Sequence, residues 1–224
     1  MQPNNQPESM APKKTFYRIE VALAECPFEV TRTLIVPADI RLDYLHEVLQ
    51  TAMGWRDSHL HEFQSKTKRY GVKSGEDDEI SDERRVRLSG IVKPKDPYCG
   101  YIYDYGDEWV HQLHVVDFDC GGVPPKRWIA CIGGKGACPP EDVGGTTGYA
   151  DFCAAINDPE NPEHNEQIEW VYDICQYHRS LKWPDGFDQK DIDGKLYAVE
   201  RWYRRETAPK KPKPPRMWAY VGKK

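Results

Sequence analysis

No apolar run in the sequence approaches the roughly 18 residues that a membrane-spanning helix requires, and the first residues lack the apolar core of a signal peptide. A soluble, cytoplasmic protein with no membrane partner is therefore expected. Neither a Cys-x-x-Cys pair nor a His-Glu-x-x-His helix occurs, which removes the commonest zinc-knuckle and zinc-protease patterns. A phosphate loop, a helix-turn-helix and a zinc finger are missing too. The seven cysteines are odd in number and irregularly spaced, in a chain of 224 residues that can bury a core without disulfides. Free thiols in a reducing compartment follow as the expectation. Positive charge is also short: the formal net charge of -5 excludes a body that binds nucleic acid by charge alone.

What is present reads as one α+β domain with an arm at each end. Residues 1–14 hold Pro, Asn and Gln without apolar periodicity and read as a disordered arm; 15–205 form the domain; 206–224 are a basic Pro/Lys-rich tail. Segments 16–24 and 28–36 alternate as two strands of a hairpin. Leu42, Leu45, Val48, Leu49 and Ala52 then fall on one helical face, with Asp39 as start signal and Gly54 as stop. A strand over 59–63 places His59, His61 and Phe63 on one face. The charged run 74–85 reads as a solvated loop. Segments 98–104 and 108–118 form a second hairpin, bent at Tyr105-Gly106-Asp107, where Gly106 is expected to take a positive φ. Trp109, His111, Leu113 and Val115 share one face of its second strand and Val110, His114, Val116 and Phe118 the other, so the strand is expected to be covered on both sides. A short strand over 128–132 leads into a Gly/Pro-rich segment, 133–145, read as an ordered loop that places Cys138, Glu141 and Asp142. Helices are expected over 147–157, over 161–181, and around Leu196, Val199, Trp202 and Tyr203. Strands first and helices last predict a mixed or antiparallel β-sheet with amphipathic helices packed on it.

The candidate chemistry lies where imidazoles, acids and thiols sit among aromatics. His59, His61, His111 and Cys138 are the candidate metal ligands, with Cys131 a further thiol. Asp104, Asp107, Trp109, His111, Glu141 and Asp142 are the candidate ligand-binding set. Imidazole, thiolate and carboxylate are the donors that a divalent ion such as zinc takes. In the structural alternative, Asp104 and Asp107 cap amides around Gly106, and His111 is a buried imidazole bonded to one of those acids. The catalytic version is metal-assisted hydrolysis with Glu141, Glu62 or Asp107 as base. Cysteine catalysis by Cys138 with His59 or His111 is disfavoured, because Pro139-Pro140 supplies no helix N-terminus directly after the thiol. The rival class is a nucleic-acid-binding or adaptor protein that uses the tail residues Lys210, Lys211, Lys213, Arg216, Lys223 and Lys224.

Several segments in a fixed order carry a resemblance: Leu45-His46-Glu47, Met53-Gly54-Trp55, His59-Leu60-His61-Glu62-Phe63, the stretch from Tyr103 to His111, and the stretch from Ala137 to Gly145. Together they resemble the plasmid pRiA4b ORF-3-like family over about residues 16–202. The resemblance implies a single α+β domain and an association with mobile elements, and it assigns no reaction. Some members of that family carry a resolvase label. It does not transfer, because the nucleophilic serine and supporting arginines of a serine recombinase are not found here.

Overall fold

The computed structural model describes residues 14–73, 79–120 and 127–208. The proposed N-terminal arm, apart from Lys14, and the tail beyond residue 208 lie outside the described residues. Strands β1 (Phe16–Leu23) and β2 (Thr31–Pro37) form the expected hairpin, followed by helix α1 (Leu42–Met53). The helix ends as its sequence indicates, with Gly54 in the left-handed region at φ 98° and its N–H bonded to the Gln50 carbonyl. Its start differs: Arg41, not Asp39, is the N-cap, and Arg41 is held by its own bonds to Asp43.

Strands β3 (His61–Ser65), β4 (Lys68–Gly71) and β5 (Ile80–Asp82) come next, then a 3-10 turn over Glu83–Arg85 and the short helix α2 (Leu88–Ile91). Strands β6 (Tyr98–Tyr103) and β7 (Trp109–Asp117) form the second hairpin, and β8 (Ala130–Lys135) completes one eight-stranded sheet in the order β5-β4-β3-β6-β7-β1-β2-β8. Every pairing is antiparallel except β4 with β5. The fold is a single α+β domain, with α3 (Gly145–Asn157), α4 (His164–Glu169) and α5 (Gln189–Glu206) closing the chain. The core lies on one face of the sheet, where Ile19, Leu34, Phe63, Tyr101, Trp109 and Leu113 meet the apolar stripe of α1.

Four further expectations need correction. The helix expected over 161–181 is two short pieces, α4 and a π-helical turn over Trp170–Ile174, and the chain then leaves through Gln176 at φ 58°. Strand β7 is central in the sheet but covered on one face only: Trp109, His111, Leu113 and Val115 are buried, whereas Val110, His114 and Val116 are half-buried and Gln112 is exposed. In the bend between β6 and β7, Asp104 and Glu108 take the positive φ (58° and 55°) rather than Gly106. The Asp104 carboxylate accepts the Gly106 amide at 2.8 Å, so a side chain does what glycine's freedom was expected to do. Finally, the charged run 74–85 is not wholly solvated. Residues 74–78 lie outside the described residues, but Glu83 is only 4% exposed.

Candidate functional site

The segments around His59, the β6–β7 bend and the Glu141 loop are far apart in sequence and close in space. Trp55, at the end of α1, donates its indole N–H to the Pro139 carbonyl at 3.0 Å, and the Arg56 amide donates to Glu141 Oε1 at 2.7 Å. The Asp104 amide donates to the Leu60 carbonyl at 2.9 Å. Asp107 accepts the Gly144 amide at 3.1 Å, which clamps the bend to the start of α3. These bonds fix the backbone of three loops around one imidazole.

That imidazole belongs to His59, which precedes β3 rather than lying in it. Its Nε2 is 3.0 Å from Asp142 Oδ1, 3.5 Å from Asp104 Oδ2 and 3.9 Å from Glu141 Oε2. None of the three carboxylates meets it in hydrogen-bonding geometry, and Nε2 is a buried nitrogen with no hydrogen-bond partner among the described residues. Single donor atoms of His59, Asp104 and Asp142 all lie within 4.8 Å of one another. Glu141 is held from the other side, where Tyr103 accepts the Ser58 amide (3.0 Å) and donates to Glu141 Oε1 (3.0 Å). Burial raises the Glu141 carboxyl above its ordinary range, while the Arg56 amide, the Tyr103 hydroxyl and His59 pull it back.

His61 does not share this site. It stacks on His46 of α1 with ring centroids 3.5 Å apart and planes 7° from parallel. His61 Nε2 meets Glu83 Oε2 at 2.9 Å, and His46 Nε2 meets Asp57 Oδ1 at 2.9 Å. His46 Nδ1 meets the Tyr101 hydroxyl, also at 2.9 Å. His46, Asp57 and His61 could also hold an ion by proximity, yet these three ring nitrogens all have protein partners. Burial lowers the pKa of His46, against the pull of Asp57. It lifts the nearby Glu47 carboxyl to about 7.

The other candidates are placed elsewhere. Trp109 is core, beside Trp55. Glu62 is held by Arg69 at 2.6 Å and by the Tyr105 hydroxyl. The Cys131 amide donates to Asp193 Oδ1 of α5 at 3.1 Å. The Cys138 thiol is buried, and desolvation pushes its pKa well above the ordinary thiol range, which disfavours the thiolate that nucleophilic attack or metal ligation needs. His111 is 0% exposed and bonded to a carbonyl rather than to an acid: its Nδ1 donates to Tyr101 O at 3.2 Å. The site members that sequence reasoning missed are Tyr103 and Arg56, and in the neighbouring network His46, Asp57 and Glu83. His46 had a signal, since it sits within the α1 stretch whose apolar face is buried.

Burial pushes His111 from the ordinary 6.5 down to about 4. Between those two values the unfolded chain binds a proton that the folded chain refuses, so this contribution is full above pH 6.5 and lost as pH falls to 4. At roughly 1.4 kcal/mol per pKa unit the loss by pH 4 is about 3 kcal/mol. Glu47 titrates in the opposite sense, so a variant comparison isolates the histidine. His111→Asn keeps a donor near the Nδ1 position, and urea unfolding should show the wild-type advantage over it narrowing by about 3 kcal/mol from pH 7 to pH 4. An advantage that does not change with pH would contradict the assignment.

A match to the plasmid pRiA4b ORF-3-like protein family spans residues 15–194. The chain belongs to this family. A relative from Sinorhizobium fredii, the uncharacterised protein y4hQ, is 40% identical over 156 residues, which cover 68% of this chain and 79% of the relative. The crystal structure of MM3350 from Methanosarcina mazei Go1, a protein of unknown function, superposes with a TM-score of 0.69 at 25% identity, covering 80% of this chain and 97% of that one. The structural likeness agrees with the single-domain α+β fold, and neither similarity attaches a reaction to the His59 site. No described helix is long and apolar enough to cross a membrane.

Proposed function

We propose that this family member binds a divalent cation through His59 Nε2, Asp104 and Asp142, with Glu141 beside the ion. The observation that carries the reading is the His59 nitrogen, buried and without a hydrogen-bond partner among the described residues, ringed by three carboxylates from two other segments. Carboxylates gathered this closely repel one another, and one imidazole can supply at most a single positive charge. A divalent ion resolves both problems, and a mixed nitrogen and oxygen donor set suits zinc or manganese. With an ion bound, Glu141, raised by burial and steadied by Tyr103 and the Arg56 amide, would be the base for a water that the ion activates. That is the arrangement of metal-assisted hydrolysis.

Elemental analysis of protein purified without a histidine tag, followed by thermal unfolding with added zinc or manganese, tests the reading. An ion present at about 100 times its Kd stabilises by about 2.7 kcal/mol, which for a chain of this size raises Tm by about 5–10 °C. Metal-free protein whose Tm does not move with either ion would count against it.

A further inference from the structure

Arg32 of β2 is 2% exposed, and no carboxylate pairs with it among the described residues. Its Nε donates to the Ala52 carbonyl (2.8 Å), and its Nη1 to the carbonyls of Thr31 (2.7 Å), Lys135 (2.8 Å) and Gly136 (3.0 Å). Nη2 has no acceptor among the described residues. Carbonyl dipoles orient a guanidinium but leave its charge uncancelled, and arginine stays protonated even when buried. Desolvation opposes the charge, pulling the Arg32 pKa down.

This uncancelled charge lines a cavity of about 1010 Å³, whose other walls include Met53, Tyr177, Leu181, Phe187 and Lys190. The Phe187 ring lies against the guanidinium, 4.9 Å from its central carbon. The two acids on the cavity wall are already engaged. Asp188 accepts the Lys190 and Asp191 amides at 3.0 Å each as the N-cap of α5, and Asp191 pairs with Lys195 at 2.7 Å. Neither is the counter-ion of Arg32.

We infer that this cavity is a binding site for a small organic oxyanion, with Arg32 Nη2 as the anchor and the Phe187, Leu181 and Met53 side chains receiving an apolar body. Carboxylate and phosphate monoester share the chemistry, since both match the N–H fork of a guanidinium. The site is separate from the His59 cluster, although one loop serves both: Cys138 and Pro139 line the cavity and Glu141 faces His59.

The test is calorimetric titration of the full chain with benzoate, phenyl phosphate and the neutral benzamide. Saturable binding of one or both anions with a Kd below about 1 mM, at least roughly tenfold tighter than benzamide, is expected, and the tighter anion identifies the class. Arg32→Lys keeps a charge but loses the fork, and should weaken the anion by roughly tenfold or more. Because Arg32 also ties β2 to α1 and β8, Phe187→Ala serves as a second variant. Anomalous scattering from a 4-bromobenzoate soak locates the ligand independently of either. No saturable anion binding at about 10 mM, binding equal to benzamide, or a bromine peak away from Arg32 would overturn the inference.

Discussion

Asp104→Asn should leave the fold intact and remove cation binding, whereas Asp104→Ala should damage both. Asp104 holds a left-handed backbone at φ 58° and caps the Gly106 amide, while its second oxygen faces His59. Asparagine tolerates that backbone region and keeps an oxygen for the amide, so its stability should stay within about 1 kcal/mol of wild type. It lacks the charge that a divalent ion requires. Altering groups that merely support a metal ligand costs roughly 10- to 100-fold in affinity, and removal of a ligand charge should reach at least about 100-fold. Alanine loses the cap and is strained in the left-handed region, a combined cost of about 2–3 kcal/mol. Urea unfolding and metal titration of both variants separate the two roles. An Asp104→Asn protein that binds the ion as tightly as wild type would remove Asp104 from the site.

The largest stability effect should come from Glu83→Ala. Glu83 and His61 form a buried pair, with side chains 6% and 5% exposed and 2.9 Å between them. Removing Glu83 leaves the His61 ring nitrogen unpaired beneath the stacked His46 ring and a cavity where the side chain lay, which together cost about 3–5 kcal/mol. Glu83→Gln keeps an acceptor for the ring nitrogen and should cost far less. Chemical denaturation of the two variants checks this. A Glu83→Ala protein within about 1 kcal/mol of wild type would show that the network is incidental.

Glu83 also shows where sequence reasoning stops. Within a dense run of acids, composition speaks for solvation, and nothing local marks the one carboxylate that a histidine 22 positions away will bury. The two hairpins and α1 were legible because their burial follows clean two-residue or helical periods. The sheet order was not, since β1 beside β7 and β2 beside β8 are pairings between distant segments. The helix over 161–181 had the right apolar spacing, but the π-helical turn and the positive φ of Gln176 are backbone events with no periodic signature.

The histidines failed by register. Counting in twos from His59 puts His59 and His61 on one face, yet the strand begins at His61, and the two rings serve different neighbours. The sequence marked the His59, Asp104 and Glu141 segments only as polar residues flanked by aromatics and left their meeting open. Its geometry depended on loop contacts, such as the Trp55 indole on the Pro139 carbonyl, that no local pattern encodes.

Anomalous diffraction from crystals of the full chain grown with zinc or manganese, collected at the absorption edge of that ion, tests the cation site most directly. A peak bounded by His59 Nε2, Asp104 and Asp142 is the predicted result. No peak there, or a peak only between His46 and His61, would contradict it.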